Sequence, residues 1–281
     1  MTAPRVLALT LIAMLAFAGN SLLCRIALKS TAIDPASFTA IRIISGALML
    51  WAIVRIRDRS EPSAGNWLSA LALFAYAVAF SFAYVSLPAA AGALLLFGAV
   101  QATMIGYALW TGERPGLQKS AGLITAAAGL LALLLPGLSA PPLQGALLML
   151  LAGVAWGVYS LRGRGGGDPT QVTAGNFLRA CACAACLGVG MLPWATLDGA
   201  GILYAVLSGA LASGVGYAVW YSALPGLAAS TAASVQLSVP VIAAVGGIVF
   251  LGEALTLRLV LCSLAILGGI ALVIADKPRP R

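Results

Sequence analysis

Val249-Phe250-Leu251-Gly252-Glu253-Ala254-Leu255-Thr256-Leu257 closes one apolar run and opens the next, and Leu109-Trp110-Thr111-Gly112-Glu113-Arg114-Pro115-Gly116-Leu117 does the same in the first half of the chain. The echo continues upstream, where Tyr84-Val85-Ser86-Leu87-Pro88 answers Tyr221-Ser222-Ala223-Leu224-Pro225, and downstream, where Ala128-Gly129 answers Gly268-Gly269. The offset between the copies drifts by only a few residues, as a short loop insertion would make it. A duplicated set of apolar helices supplies two related units that can rock about a shared centre, which points towards transport.

The surrounding composition puts those units in a bilayer. Of the 281 residues 61% are hydrophobic and only 9% charged, with a mean hydropathy of +1.02. A water-soluble domain would have too little polar surface to cover such a chain. A helix rises 1.5 Å per residue, so about 20 apolar residues cross about 30 Å of hydrocarbon. The sequence predicts ten such spans: Val6–Ala27, Pro35–Arg55, Trp67–Leu87, Ala89–Thr111, Gly116–Leu135, Leu143–Leu161, Val172–Leu192, Gly199–Ala223, Ala228–Leu251 and Thr256–Ala275. Arg5 ahead of the first run has the look of a cleaved signal. The repeat argues against one, because Phe17-Ala18-Gly19-Asn20-Ser21 has its counterpart in Ala155-Trp156-Gly157-Val158-Tyr159, where no signal can sit.

The net charge of +8 is spread over loops rather than gathered on a face, so no nucleic-acid partner is expected. It reads instead as orientation. With the amino terminus inside, the inner loops hold Arg5, Arg55, Arg57, Arg59, Arg114, Lys119, Arg162, Arg164, Lys277, Arg279 and Arg281, with Arg179 near the inner end of span 7. The outer side holds Arg25, Lys29, Arg42 and Arg258. The excess of inner cations predicts cytoplasmic termini in a bacterial inner membrane. Five spans per copy is an odd number, so the second copy enters the membrane upside down. The expected fold is therefore all-α: a single integral membrane unit of two inverted five-helix repeats, residues 1–138 and 139–281.

Histidine is absent, which removes Ser-His-Asp triads, HExxH zinc helices and most proton relays. No enzyme activity, metal or cofactor is expected. Cys24, Cys181, Cys183, Cys186 and Cys262 all sit in apolar runs and read as packing residues. Asp34, Asp58, Glu61, Asp168, Asp198 and Asp276 fall in loops or at span ends. Glu113 and Glu253 stand just before spans 5 and 10, where a carboxylate favours the helix dipole and caps amides, so both are expected to be structural, helix-terminal acids. Only Arg42 and Arg179 intrude into a span. They occupy matching places in the two halves and read either as cations snorkelling to the headgroups or as a site for a substrate carboxylate.

What remains is a set of aromatic and amide groups near the middle of the spans. Tyr76, Phe80 and Tyr84 recur at four-residue steps on span 3, and Tyr217, Trp220 and Tyr221 mark its partner, span 8. Phe17 and Asn20 on span 1, and Trp156 and Tyr159 on span 6, are expected close to the midplane. Spans 4 and 9 add Phe97, Gln101 and Gln236, with Pro240 expected to kink span 9 or loosen its hydrogen bonds. Amides in hydrocarbon need partners, so Asn20, Gln101 and Gln236 should point inward. The predicted substrate site is Phe17, Asn20, Tyr76, Phe80, Phe97, Gln101, Trp156, Tyr159, Tyr217, Trp220 and Gln236, an uncharged chamber for a ligand with an apolar body and a small polar end. Helix packing or an aromatic interface belt is the competing reading of these stripes, with Tyr84, Tyr107 and Trp110 placed for a belt. Spans 5 and 10, with Gly122, Gly129, Gly268 and Gly269 but few aromatic or polar groups, read as scaffold.

The two five-span halves, Gly19-Asn20-Ser21 in span 1, Trp156-Gly157 in span 6 and Gly-Glu before the last span of each half resemble the drug/metabolite transporter superfamily of EamA type, over essentially the whole chain. The second copy carries Pro240 and Gly252-Glu253, whereas the first has Val100 in place of the proline. More narrowly, the aromatic-rich sequence is similar to bacterial exporters of aromatic amino acids. The resemblance implies a central cavity walled by spans 1, 3, 4, 6, 8 and 9. It also implies export of aromatic or other neutral amino acids, or similar small metabolites, by alternating access. Efflux of amphipathic drugs and a non-transporting membrane scaffold are the alternatives. Membrane lipid and a small-molecule substrate are the expected partners, and the oligomeric state stays open.

Overall fold

The computed structural model describes residues 2–58, 64–112, 116–135, 137, 140–163, 168–227 and 229–275, and every regular element among them is helical. Among the described residues, ten helices are long and apolar enough to cross a membrane. They are α1 (Ala3–Ser30), α2 (Pro35–Asp58), α3 (Trp67–Tyr84), α4 (Ala89–Trp110), α5 (Leu117–Leu134), α6 (Leu143–Arg162) and α7 (Pro169–Gly190), then three further spans. The eighth is α8 (Gly199–Val206), a π-helical stretch Leu207–Val215 and α9 (Gly216–Ala223); the ninth is α10 (Ala229–Gln236) followed by α11 (Ser238–Leu251); the tenth is α12 (Leu257–Ala275). Helices recur because lipid offers no partner to a backbone amide, so each span must bond within itself. Glu113 and the loop charges Arg59, Glu61, Arg114, Arg164, Asp276, Lys277, Arg279 and Arg281 lie outside the described residues.

Span ends follow local chemistry. The Asn66 side chain accepts from the Ser69 N–H at the start of α3, Asp168 from Thr170 at the start of α7, and Asp34 from Ala36 and Ser37 at the start of α2. Pro169 follows its cap, so α7 begins earlier than the expected Val172. The ninth span breaks at Leu237 because Pro240 has no N–H to return to the Gln236 carbonyl.

Exchanging each span for the one five places later preserves the pattern of neighbours. Helix α3 packs on α6 as the eighth span packs on α1, α4 packs on α6 as the ninth packs on α1, and the pairs α2 with α7 and α5 with α12 map onto themselves. A Cβ on Gly122 would come within 2.6 Å of the Gly269 carbonyl, so these two glycines let α5 and α12 touch backbone to backbone. Side chains turned away from the bundle, such as Leu7, Leu11 and Leu15 on α1, are exposed and apolar, as a lipid-facing surface requires.

The π-helical stretch lies against α2. A Cβ on Gly209 would collide with the Arg42 carbonyl and the Ser45 hydroxyl, and one on Gly214 would come 2.9 Å from Met49. Widened helical turns of this kind often mark functional positions.

Candidate functional site: a ring-lined chamber

A cavity of about 390 Å³ lies inside the bundle, within the range of small-molecule sites. Phe17 and Asn20 from α1, Tyr76 and Phe80 from α3, Phe97 and Gln101 from α4, and Trp156 and Tyr159 from α6 all lie on its wall, as do Tyr217 and Trp220 from α9 and Gln236 from α10. These are the chamber residues named from sequence, and the structure brings every one of them to the same space. Neither α5 nor α12 contributes to it.

The rings form a connected surface. Trp156 stacks on Tyr217 (5.3 Å, 19°) and on Tyr159 (5.2 Å, 29°), and lies 4.9 Å from the tilted ring of Tyr76. Phe17 touches Tyr217 and Trp220 on the other flank. Trp156 thus joins the aromatic stripes of the third and eighth spans. Ring pairs of this kind contribute roughly 0.5–1.5 kcal/mol each beyond their burial, enough to hold a wall rigid without filling the space between.

Polar groups are tied into that wall at two levels. The Ser208 hydroxyl donates to Asn20 Oδ1 at 2.6 Å, and Asn20 Nδ2 donates to the Tyr76 hydroxyl at 3.3 Å. Lower down, Tyr159 donates to Thr173, Thr173 to Tyr221 and Asn176 to Tyr159, at 3.3–3.4 Å. Gln236 Nε2 bonds back to the Ala232 carbonyl. Gln101 has no side-chain hydrogen bond to a described residue and is free to serve a ligand. Thr173 and Asn176 were not among the expected chamber residues; their Thr-x-x-Asn spacing on one face of α7 was the available signal.

The lining reaches exposed Gly163 and Pro169 where α6 hands over to α7, so the chamber opens at that end. The opposite end is tied shut. Arg25 Nε donates to Glu253 Oε1 at 3.1 Å while Arg25 Nη1 donates to the Tyr84 and Val85 carbonyls, and Glu253 Oε2 accepts from the Ala89 N–H at 2.8 Å. Glu253 therefore caps α4, not α12 as its sequence position suggests. Gly252 adopts φ +62°, a left-handed turn that carries the next residue back into the bundle. Beyond this tie a second cavity of about 200 Å³ is lined by Ser86, Pro88, Glu253 and Thr256 among others.

One further expectation is corrected, and the two readings of the intruding arginines separate. Tyr84 is fully buried against Phe80 (4.8 Å, 83°), not in an interface belt, while Trp110 is 85% exposed and Tyr107 partly so. The two intruding arginines part company. Arg179, expected near the inner end of its span, stands in the middle of α7 and gives its Nη1 to the carbonyls of Ala64 and Gly175. Arg42 turns inward instead: it is only 3% exposed, and its guanidinium lies over the faces of Phe80 (4.7 Å) and Tyr76 (5.3 Å), directly behind the chamber wall. A cation therefore stands deep in the bundle. Arg42 Nη1 has no hydrogen-bond partner, and no carboxylate among the described residues pairs with it. Ring faces return about 0.5–2 kcal/mol to a cation, less than the several kcal/mol that burying one costs.

The EamA-like transporter family profile matches the chain twice, over residues 5–135 and 143–275. An uncharacterized protein of Pseudomonas aeruginosa is 63% identical over 274 residues, covering 97% of this chain and 96% of its own. The threonine/homoserine exporter RhtA of Salmonella typhimurium is 35% identical over 147 residues, 49% of this chain and 48% of RhtA. A crystal structure with 21% identity superposes with a TM-score of 0.67 over 97% of this chain and 98% of its own, a likeness of fold.

Proposed function

The chain belongs to the EamA-like transporter family, and from that premise we propose that this multi-pass membrane transporter exports aromatic or other neutral amino acids, or closely similar small metabolites, from the cytoplasm. The observation that carries the reading is a chamber open at the α6–α7 end and closed at the end where Arg25 meets Glu253. With both termini cytoplasmic, the open end is the cytoplasmic one and the Arg25–Glu253 end faces outward across a bacterial inner membrane. Cargo enters from inside, lies against Trp156, Tyr217 and Gln101, and leaves after the repeats 1–138 and 139–281 rock in opposite senses. That motion seals the α6–α7 mouth and parts Arg25 from Glu253.

The aromatic wall suits an apolar body, and the amides at Asn20, Gln101 and Gln236 suit a small polar end. What RhtA is named for, export of threonine and homoserine, supports amino-acid cargo. The predominantly apolar lining favours one second reading, efflux of amphipathic toxic compounds. Uptake and efflux of labelled tryptophan and threonine in proteoliposomes, with and without a pH gradient, decides between them. Saturable flux competed by neutral amino acids fits the proposal, and competition by unrelated aromatic drugs alone fits the second reading. A purified protein that moves no member of a broad metabolite panel would defeat both.

A further inference from the structure

We propose that Arg42 is the chamber's anion-recognising group, so that the cargo must present a carboxylate beside its apolar body; this rests on the transport reading above. The chamber wall itself carries no charge. Behind it, one ring's thickness away, stands a guanidinium that is 3% exposed, lacks a partner at Nη1 and has no carboxylate counter-ion among the described residues. A buried cation without a counter-ion is costly and persists in a membrane where it serves a ligand or pathway. Arg179, at the matching place in the other half, has its Nη1 satisfied by two backbone carbonyls, whereas Arg42 Nη1 has no such partner among the described residues.

The groups between Arg42 and the chamber are suited to pass that charge on. Asn20 donates to the Tyr76 hydroxyl, which leaves the tyrosine's own proton available to a ligand, and Ser208 fixes Asn20 in that orientation. The Tyr76 ring also lies under the guanidinium. A carboxylate seated at Tyr76 receives a hydrogen bond from the hydroxyl and the field of Arg42 from behind, in a site where low dielectric strengthens both. The ammonium of an amino acid then faces the rings of Trp156 and Tyr217, which attract cations. Arg42 acts as a selectivity residue: it sets which end of the cargo is bound, and an amide in place of the carboxylate forfeits the interaction.

The test compares L-tryptophan with L-tryptophanamide and L-threonine with L-threoninamide, by flux in proteoliposomes and by thermal stabilisation of the detergent-purified protein. The wild-type protein should prefer each acid to its amide by at least about tenfold. Arg42→Gln should lose that preference, and Arg42→Lys should keep much of it. Equal handling of acid and amide by the wild type, or an unchanged ratio in Arg42→Gln, overturns the proposal. Should Arg42→Gln fail to insert, the wild-type ratio and Arg42→Lys decide. Absence of all wild-type flux would sink the transport reading, and the stabilisation measurements would then decide Arg42 on their own.

Discussion

Arg25 and Glu253 lie 3.1 Å apart with side chains only 10% and 9% exposed, joining α1 to the turn after α11 across one end of the chamber. Each partner has a second duty, Arg25 on the carbonyls that end α3 and Glu253 on the amide that begins α4. Four spans therefore meet at one ion pair.

Removing either charge leaves the other buried and unpaired, a loss of about 3–5 kcal/mol when one member of such a pair is deleted. Glu253→Ala and Arg25→Ala should each destabilise this closed end by an amount in that range. The double variant should lose less than the sum of the two singles. A cysteine placed at Ser86, in the neighbouring small cavity, should label faster in Glu253→Ala than in the parent. Unchanged labelling would exclude the pair as a closure.

Trp156 touches three other rings of the chamber, and the Gln101 amide, on the same wall, has no hydrogen bond to a described residue. Trp156→Ala should lower flux about tenfold or more by opening the stacked wall. Gln101→Ala should lower it less, by the worth of one hydrogen bond, about 1 kcal/mol or roughly fivefold. Both should reach the membrane in normal amount, so flux per inserted molecule is the measurement. Unaltered flux in both variants would remove them from the site.

Gly209 stands where the π-helical stretch meets α2, and any Cβ there runs into the Arg42 carbonyl. Gly209→Ala should destabilise the protein by about 1–3 kcal/mol, the cost of overpacking. Gly19→Ala is the matched control, since open space surrounds that glycine. Thermal unfolding in detergent compares them, and equal stability would show that α2 can yield at this point.

The chamber residues were legible in sequence because aromatic and amide groups stand out at helical spacing against a nearly uncharged apolar background. For Arg42 the sequence left two readings open, because the rotation of α2 about its own axis depends on which neighbours it meets, here α7 and the π-helical stretch. That stretch was hidden, since Ser208-Gly209-Ala210-Leu211-Ala212-Ser213-Gly214 satisfies an ordinary apolar helix equally well by composition. Glu253 misled for a local reason. It precedes α12 in sequence, but a glycine in left-handed backbone turns it towards α4. Proximity along the chain predicts a cap only where the backbone between runs straight.

Asp34, in the loop between α1 and α2, holds the first span pair to the segment before α8. Its Oδ2 accepts from the Thr196 N–H at 2.9 Å, and its own N–H donates to the Thr196 carbonyl at 3.1 Å. Partial burial would raise the Asp34 carboxyl, but hydrogen bonds from the Ser37 side chain and from the amides of Ser37, Thr196 and Ala36 outweigh it and hold the group below its ordinary value of 3.8. A carboxyl depressed in the folded state contributes stability that is complete above the unfolded value and fades as pH falls through the folded one. The unfolding temperature should therefore be insensitive to this group above about pH 5 and decline below about pH 4. Asp34→Asn should be less stable at neutral pH and lack that part of the acid decline. Asp34 is only partly buried, so solvent screening keeps the effect small. Parallel acid profiles for parent and variant would show that the link to Thr196 does not depend on the charge.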